Sequence, residues 1–237
     1  MLNSIREEVR RLRAHSDSTT AAWINGYTLL GGRVFCSDNC SNCCSLVVNC
    51  TWPESLYIAE KVQYNCTGKL QPHLEKLQEI IIAATDYKSF LKMHRQQAGP
   101  CPFLSEGSCS IYPDRPFSCR ALLSSKDSFW CGADFGEMTS AEKQAFIASL
   151  DAEVVAFPTH YVAATGEIGQ GLEARIADMM VQHLGFSIYG NLALMVLLNK
   201  EHDFAAHVLH GYDAVIDFLD RRGLNHPYLV SLTNPTT

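Results

Sequence analysis

Apolar residues recur at helical spacing along most of the chain, and two stretches lose that period. Ile5, Val9 and Leu12 share one face of a helix predicted over residues 3–14. A polar stretch follows at 15–20. Residues 23–34, which hold Gly26, Gly31 and Gly32, read as loop or short extended structure. Thr51, Pro53 and Glu54 open a second helix: Thr51 serves as N-cap, Pro53 sits near the first helical position, and Glu54 reaches back as in a capping box. Leu56, Tyr57, Ile58 and Val62 carry it to about Tyr64. A longer helix is predicted over 72–97, with Leu74, Leu77, Ile81, Ala84, Phe90 and Leu91 on the core face and Gly99 and Pro100 as its stop.

Residues 99–137 show no sustained period and are broken repeatedly by proline and glycine. A connection this long is normally functional or tied down. Beyond it, helices are predicted from 141 to about 156 (capped by Thr139 and Glu142), over 169–184 (ended by Gly185), over 191–200, and over 204–222 (ended by Gly223). No internal repeat or low-complexity tract interrupts them. The expected fold is mostly α, a helical domain with two long cysteine-rich loops converging on a metal centre. Its expected divisions are an N-terminal helix and linker (1–35), a cysteine-cluster metal-chelating domain (36–137), and a C-terminal helical region packed on it (138–237).

With 237 residues, 47% of them apolar, the chain can bury a sizeable core. A formal charge of -6 disfavours nonspecific nucleic-acid binding, and the basic run from Arg6 to Arg13, interrupted by Glu7 and Glu8, reads as a solvated helix face. No apolar run approaches the ~20 residues that span a bilayer. Charges near the start occupy the place of a signal peptide's apolar core. The expected setting is therefore cytoplasmic, with neither nucleic acid nor membrane as partner. A protein or small-molecule partner and the oligomeric state carry no signature.

The ten cysteines change the picture, because eight of them are clustered. Cys36, Cys40, Cys43 and Cys44 lie within nine residues, and Cys101, Cys109, Cys119 and Cys131 fall in the irregular stretch. A C-x2-C step lets two thiolates converge on one ion. Adjacent Cys43 and Cys44 project in different directions along the backbone, so either one serves a different ion or the centre is polynuclear. Eight thiols suffice for two four-ligand sites, and all-thiolate ligation suits zinc and iron–sulfur clusters alike. Four thiolates leave a zinc site with excess negative charge, which Arg115 and Arg120 are placed in sequence to offset. Phe103, Tyr112 and Phe117 are expected to pack nearby and keep water off.

Other features point to ordinary structure. Gly166, Gly169 and Gly171 lack a preceding strand and read as a loop opening a helix rather than a nucleotide-binding turn. His202, His207 and His210 fall on an amphipathic helix and read as solvated or packed, while the isolated His94 and His160 receive no role. Nothing distinguishes one thiol as a nucleophile.

The order Cys36 to Cys44, Thr51-x2-Glu54, Cys-Pro-Phe-Leu from Cys101, Cys-Ser-Ile-Tyr from Cys109, Arg115-Pro116 and Cys119-Arg120 resembles the YkgJ-type cysteine-cluster family over roughly residues 36 to 131. That family is a zinc- or iron-chelating domain with a CxxCxxCC motif and eight cysteines. The first block departs from it, with three residues rather than two between Cys36 and Cys40. The resemblance implies ligands at Cys36, Cys40, Cys43, Cys44, Cys101, Cys109, Cys119 and Cys131, and zinc or iron, including an iron–sulfur cluster, as cofactor. It leaves Cys50 and Cys66 as packing residues. The implied function is metal binding at a structural or redox centre. A related branch, flagellin lysine-N-methylase, offers the alternative of an S-adenosylmethionine-dependent methyl transferase acting on a protein or peptide, with the metal centre organising its active site. A metal-trafficking module is a third reading.

Overall fold

The first apolar stripe builds a longer helix than its period predicts. In the computed structural model, which describes residues 2–62 and 68–235, helix α1 spans Leu2–Leu29. The polar stretch at 15–20 and most of the glycine-bearing segment after it are thus helical, not loop. The buried face continues past Leu12 through Arg13 and Ser16, and the rest of α1 lies in solvent, where polar side chains cost a helix little. Arg13 is only 5% exposed, which corrects the reading of the basic run as solvated throughout.

Helix α2, Trp52–Lys61, opens on the expected capping box of Thr51 and Glu54. Tyr64 and Cys66 lie outside the described residues. The single helix predicted over 72–97 is two, α3 (Leu70–Ala83) and α4 (Tyr87–Met93), the latter running into a π-helical turn at His94–Ala98. The break falls at Asp86, whose carboxylate accepts from Ser89 N–H at 2.6 Å while Ser89 Oγ accepts from Asp86 N–H. The break also changes the core face: Leu74, Leu77, Ile80 and Phe90 are buried, and Leu91 is exposed.

The irregular stretch contains short elements. Strands β2 (Leu104–Ser105) and β3 (Ser108–Cys109) form a hairpin, and helices α5 (Phe117–Ala121) and α6 (Phe129–Gly132) follow. Helix α7, Ser140–Ala148, carries the expected Thr139–Glu142 capping box but stops well before 156. Helix α8, Ala163–Leu184, begins before Gly169, so Gly166, Gly169 and Gly171 lie inside the helix rather than in a loop that opens it; Gly185 ends it at φ +86°. Asn191 caps α9, Leu192–Glu201. Gly211, at φ +104°, divides the last predicted helix into α10 (Phe204–Leu209) and α11 (Tyr212–Asp220).

A three-stranded antiparallel sheet, absent from the sequence reading, joins distant parts of the chain. Strand β4 (Ser187–Asn191) lies between β1 (Asn49–Thr51) and β5 (Val230–Thr233). Around it, Trp52 and Ile58 of α2 share one core with Leu194 to Leu198 of α9 and with Phe204 and Phe218. Trp52 Nε1 donates to Asn199 at 3.0 Å across the same boundary. Among the described residues, no helix is long and apolar enough to cross a membrane.

Candidate metal centre

The first cysteine stretch follows the end of α1. Phe35 N–H donates to Ser124 O, and the Cys36 thiol accepts from Ser124 N–H at 3.2 Å. Cys43 and Cys44 occupy a 3-10 turn, Asn42–Ser45, in which their side chains hydrogen-bond each other.

The second stretch is shaped by turn chemistry. Gly99 leaves the π-helical turn at φ +80°, after which Cys101 N–H donates to Cys44 O at 2.8 Å. Glu106 and Gly107, both at positive φ, form the tight connection of the β2–β3 hairpin and set Cys109 on its second strand. Cys119 lies within α5 and Cys131 within α6. Side-chain bonds from Ser108 to Asn39 (3.1 Å) and from Asn42 to Ser128 (3.0 Å) join the two stretches.

Electrostatics relate the thiols to one another. Burial pushes the thiols of Cys36, Cys109 and Cys131 up, Cys101 up to about 12, and Cys119 well above the ordinary range. A thiolate at Cys43 would raise every one of these further. Cys43 is itself raised, first by its bond with Cys44 and then by burial. Arg115 opposes these shifts at Cys43, Cys109 and Cys119. Its guanidinium rests over the Tyr112 ring, 3.6 Å from the centroid. Phe103 and Phe117 are buried.

Arg120 pairs with Asp17 and donates to the carbonyls of Pro113 and Arg115. Arg13 donates to Pro113, Asp114 and Arg115 carbonyls at 2.7, 3.1 and 2.9 Å, so two guanidiniums hold this segment against α1. Sequence reasoning missed Arg13 because its partners lie a hundred residues away. It missed His160 as well, whose Nε2 stands 3.3 Å from Cys131 Sγ, because no spacing links a loop histidine to a cysteine 29 positions earlier.

The nine described cysteines are free thiols. As a donor set, soft thiols beside a guanidinium suit zinc and iron. Their side chains are nevertheless dispersed: among the described residues, no three His, Cys, Asp or Glu side chains form a group that could hold one ion. Cys50, wholly buried on β1, packs in the core.

No curated protein and no solved structure matches the chain, and the comparisons give the methyl-transfer alternative no support. A family model named CxxCxxCC, described as "Putative zinc- or iron-chelating domain", matches residues 35–144, the segment holding all eight clustered cysteines. Over these residues the chain is thus similar to the CxxCxxCC family, and the match does not extend to the rest of it.

Proposed function

We propose that the chain binds zinc or iron through Cys36, Cys40, Cys43, Cys44, Cys101, Cys109, Cys119 and Cys131, as a structural or redox centre in a reducing compartment such as the cytoplasm. The observation that carries this reading is that the two cysteine stretches of the matched segment meet, with Cys101 N–H donating to Cys44 O at 2.8 Å. Metal ligation requires thiolates, and buried thiols hold their protons. Loading an ion therefore requires these side chains to turn toward one another and release protons, with the cation replacing them as neutralising charge. Arg115 offsets the excess negative charge that remains. A structural zinc contributes an apparent ~10–16 kcal/mol in small zinc domains, enough to order a long loop.

Anaerobic purification followed by metal analysis and an absorption spectrum tests the proposal. At least one ion per chain is expected, colourless for zinc and brown with broad visible absorption for an iron–sulfur cluster. Cys43→Ser should lower the metal content, and chelation should lower the melting temperature. During metal titration, the heat should vary with the ionisation enthalpy of the buffer as protons leave. A chain that stays metal-free after reconstitution would overturn the reading.

A further inference from the structure

A cavity of about 460 Å³ opens beside Cys131, within the size range of small-molecule sites. Its walls are aromatic. The ring centroids of Trp130 and Phe146 are 4.6 Å apart, and those of Phe135 and Phe146 are 4.8 Å apart. On the far side, the rings of Tyr161 and His160 lie 4.2 Å apart and tilted, next to the Cys131 thiol. Ile147 contributes an aliphatic edge from the exposed side of α7.

The charged groups are of one sign. Lys143 and Arg95 line the cavity, and among the described residues no aspartate or glutamate does. Arg95 donates to the carbonyls of Ala133 and Cys131 and forms no ion pair among the described residues. Lys143 is half-buried on α7 and has no carboxylate partner among the described residues. A cation held partly out of water without a counter-charge favours an anionic ligand group, and flat ring walls favour a planar apolar body. We propose that this cavity binds a small ring-bearing organic anion, such as an aromatic carboxylate, with its apolar body between Trp130, Phe146 and Tyr161 and its anionic end on Lys143. Cys131 of the thiol set lines the cavity, but the two side chains the test changes, Lys143 and Ile147, stand on α7 outside that set.

Two fluorescent probes of similar shape separate the contributions in the full-length protein: anionic 8-anilinonaphthalene-1-sulfonate and neutral N-phenyl-1-naphthylamine. Both should bind saturably at one site per chain. Lys143→Met should weaken the sulfonate about tenfold, the loss expected for one charge-assisted contact, and change the neutral probe less than about twofold. Ile147→Glu, at the cavity edge, should weaken both. These substitutions lie at half-buried and exposed positions of α7, and the far-ultraviolet circular dichroism of each variant reports its fold. Sulfonate binding unmoved by either substitution, non-saturable binding, or equal loss of both probes in Lys143→Met would overturn the proposal.

Discussion

Glu54 was legible in the sequence as half of a capping box, and it accepts from Thr51 N–H at 3.0 Å and from Thr51 Oγ1 at 2.8 Å. Its other oxygen accepts Phe117 N–H at 2.7 Å, a partner 63 positions away that no local motif reveals. One wholly buried carboxylate thus fixes the start of α2 to the start of α5, the helix that carries Cys119. Glu54→Ala leaves buried donors without acceptors and should cost ~2–4 kcal/mol, read as a lower urea midpoint with unchanged slope. Glu173 is the less satisfied neighbour. Tyr189 donates to one of its oxygens at 3.4 Å, the other oxygen is buried without a partner, and burial together with the charge of Glu54 raises its pKa to about 8. A folded-state value above the unfolded 4.5 means the native state holds a proton that the unfolded state gives up across that window. Stability contributed at low pH is therefore lost as pH rises from 4.5 through 8. Glu173→Gln should flatten that slope and stabilise the protein at pH above about 8, by on the order of 2–4 kcal/mol. Urea unfolding at several pH values checks both the sign and the window.

Helix starts that follow standard capping chemistry were readable, as Thr51 and Thr139 show, and Gly185 and Gly223 were readable as stops. The break at Asp86 was not, because serine stands at the third helical position in place of the expected Glu or Gln. The sheet escaped for another reason: strands of three to five residues are too short for alternation to register. Gly169 shows a residue whose meaning appears only on assembly. A loop reading suits its sequence, yet it sits mid-helix in α8, where a Cβ would meet Ala121 Cβ of α5 at 2.5 Å and Phe117 O at 3.4 Å. Neither neighbour is the flexible end of a side chain, so α5 and α8 would have to separate. Gly169→Ala gains helix propensity of ~1 kcal/mol but loses this approach. Net destabilisation of ~1–3 kcal/mol is expected, and Gly169→Val should be worse. Thermal melts of the two variants order the effects, and stabilisation by alanine would show that the helices part without penalty.

The family match ends at 144, but the core does not respect that limit. Among the described residues, strand β1 pairs with β4 alone, so its hydrogen bonds depend on residues beyond the matched segment. The buried face of α2 lies against α9, whose residues from Leu192 to Leu198 are all buried. Cutting the chain after 144 would unpair β1 and expose Cys50, Trp52, Leu56 and Ile58 to water. An intact buried Leu or Ile contributes ~1.5–3 kcal/mol by burial, so losing several exceeds the usual stability of a domain. Metal binding could offset that loss only if the cysteine stretches fold independently of the helices behind them, and α5 argues otherwise, because it packs on α8 through Gly169. A fragment ending at 144 should therefore show no cooperative unfolding transition, with or without added zinc or iron, while the full chain shows one. A fragment that melts cooperatively once loaded would mean that the ion, rather than the shared core, organises the cysteine stretches.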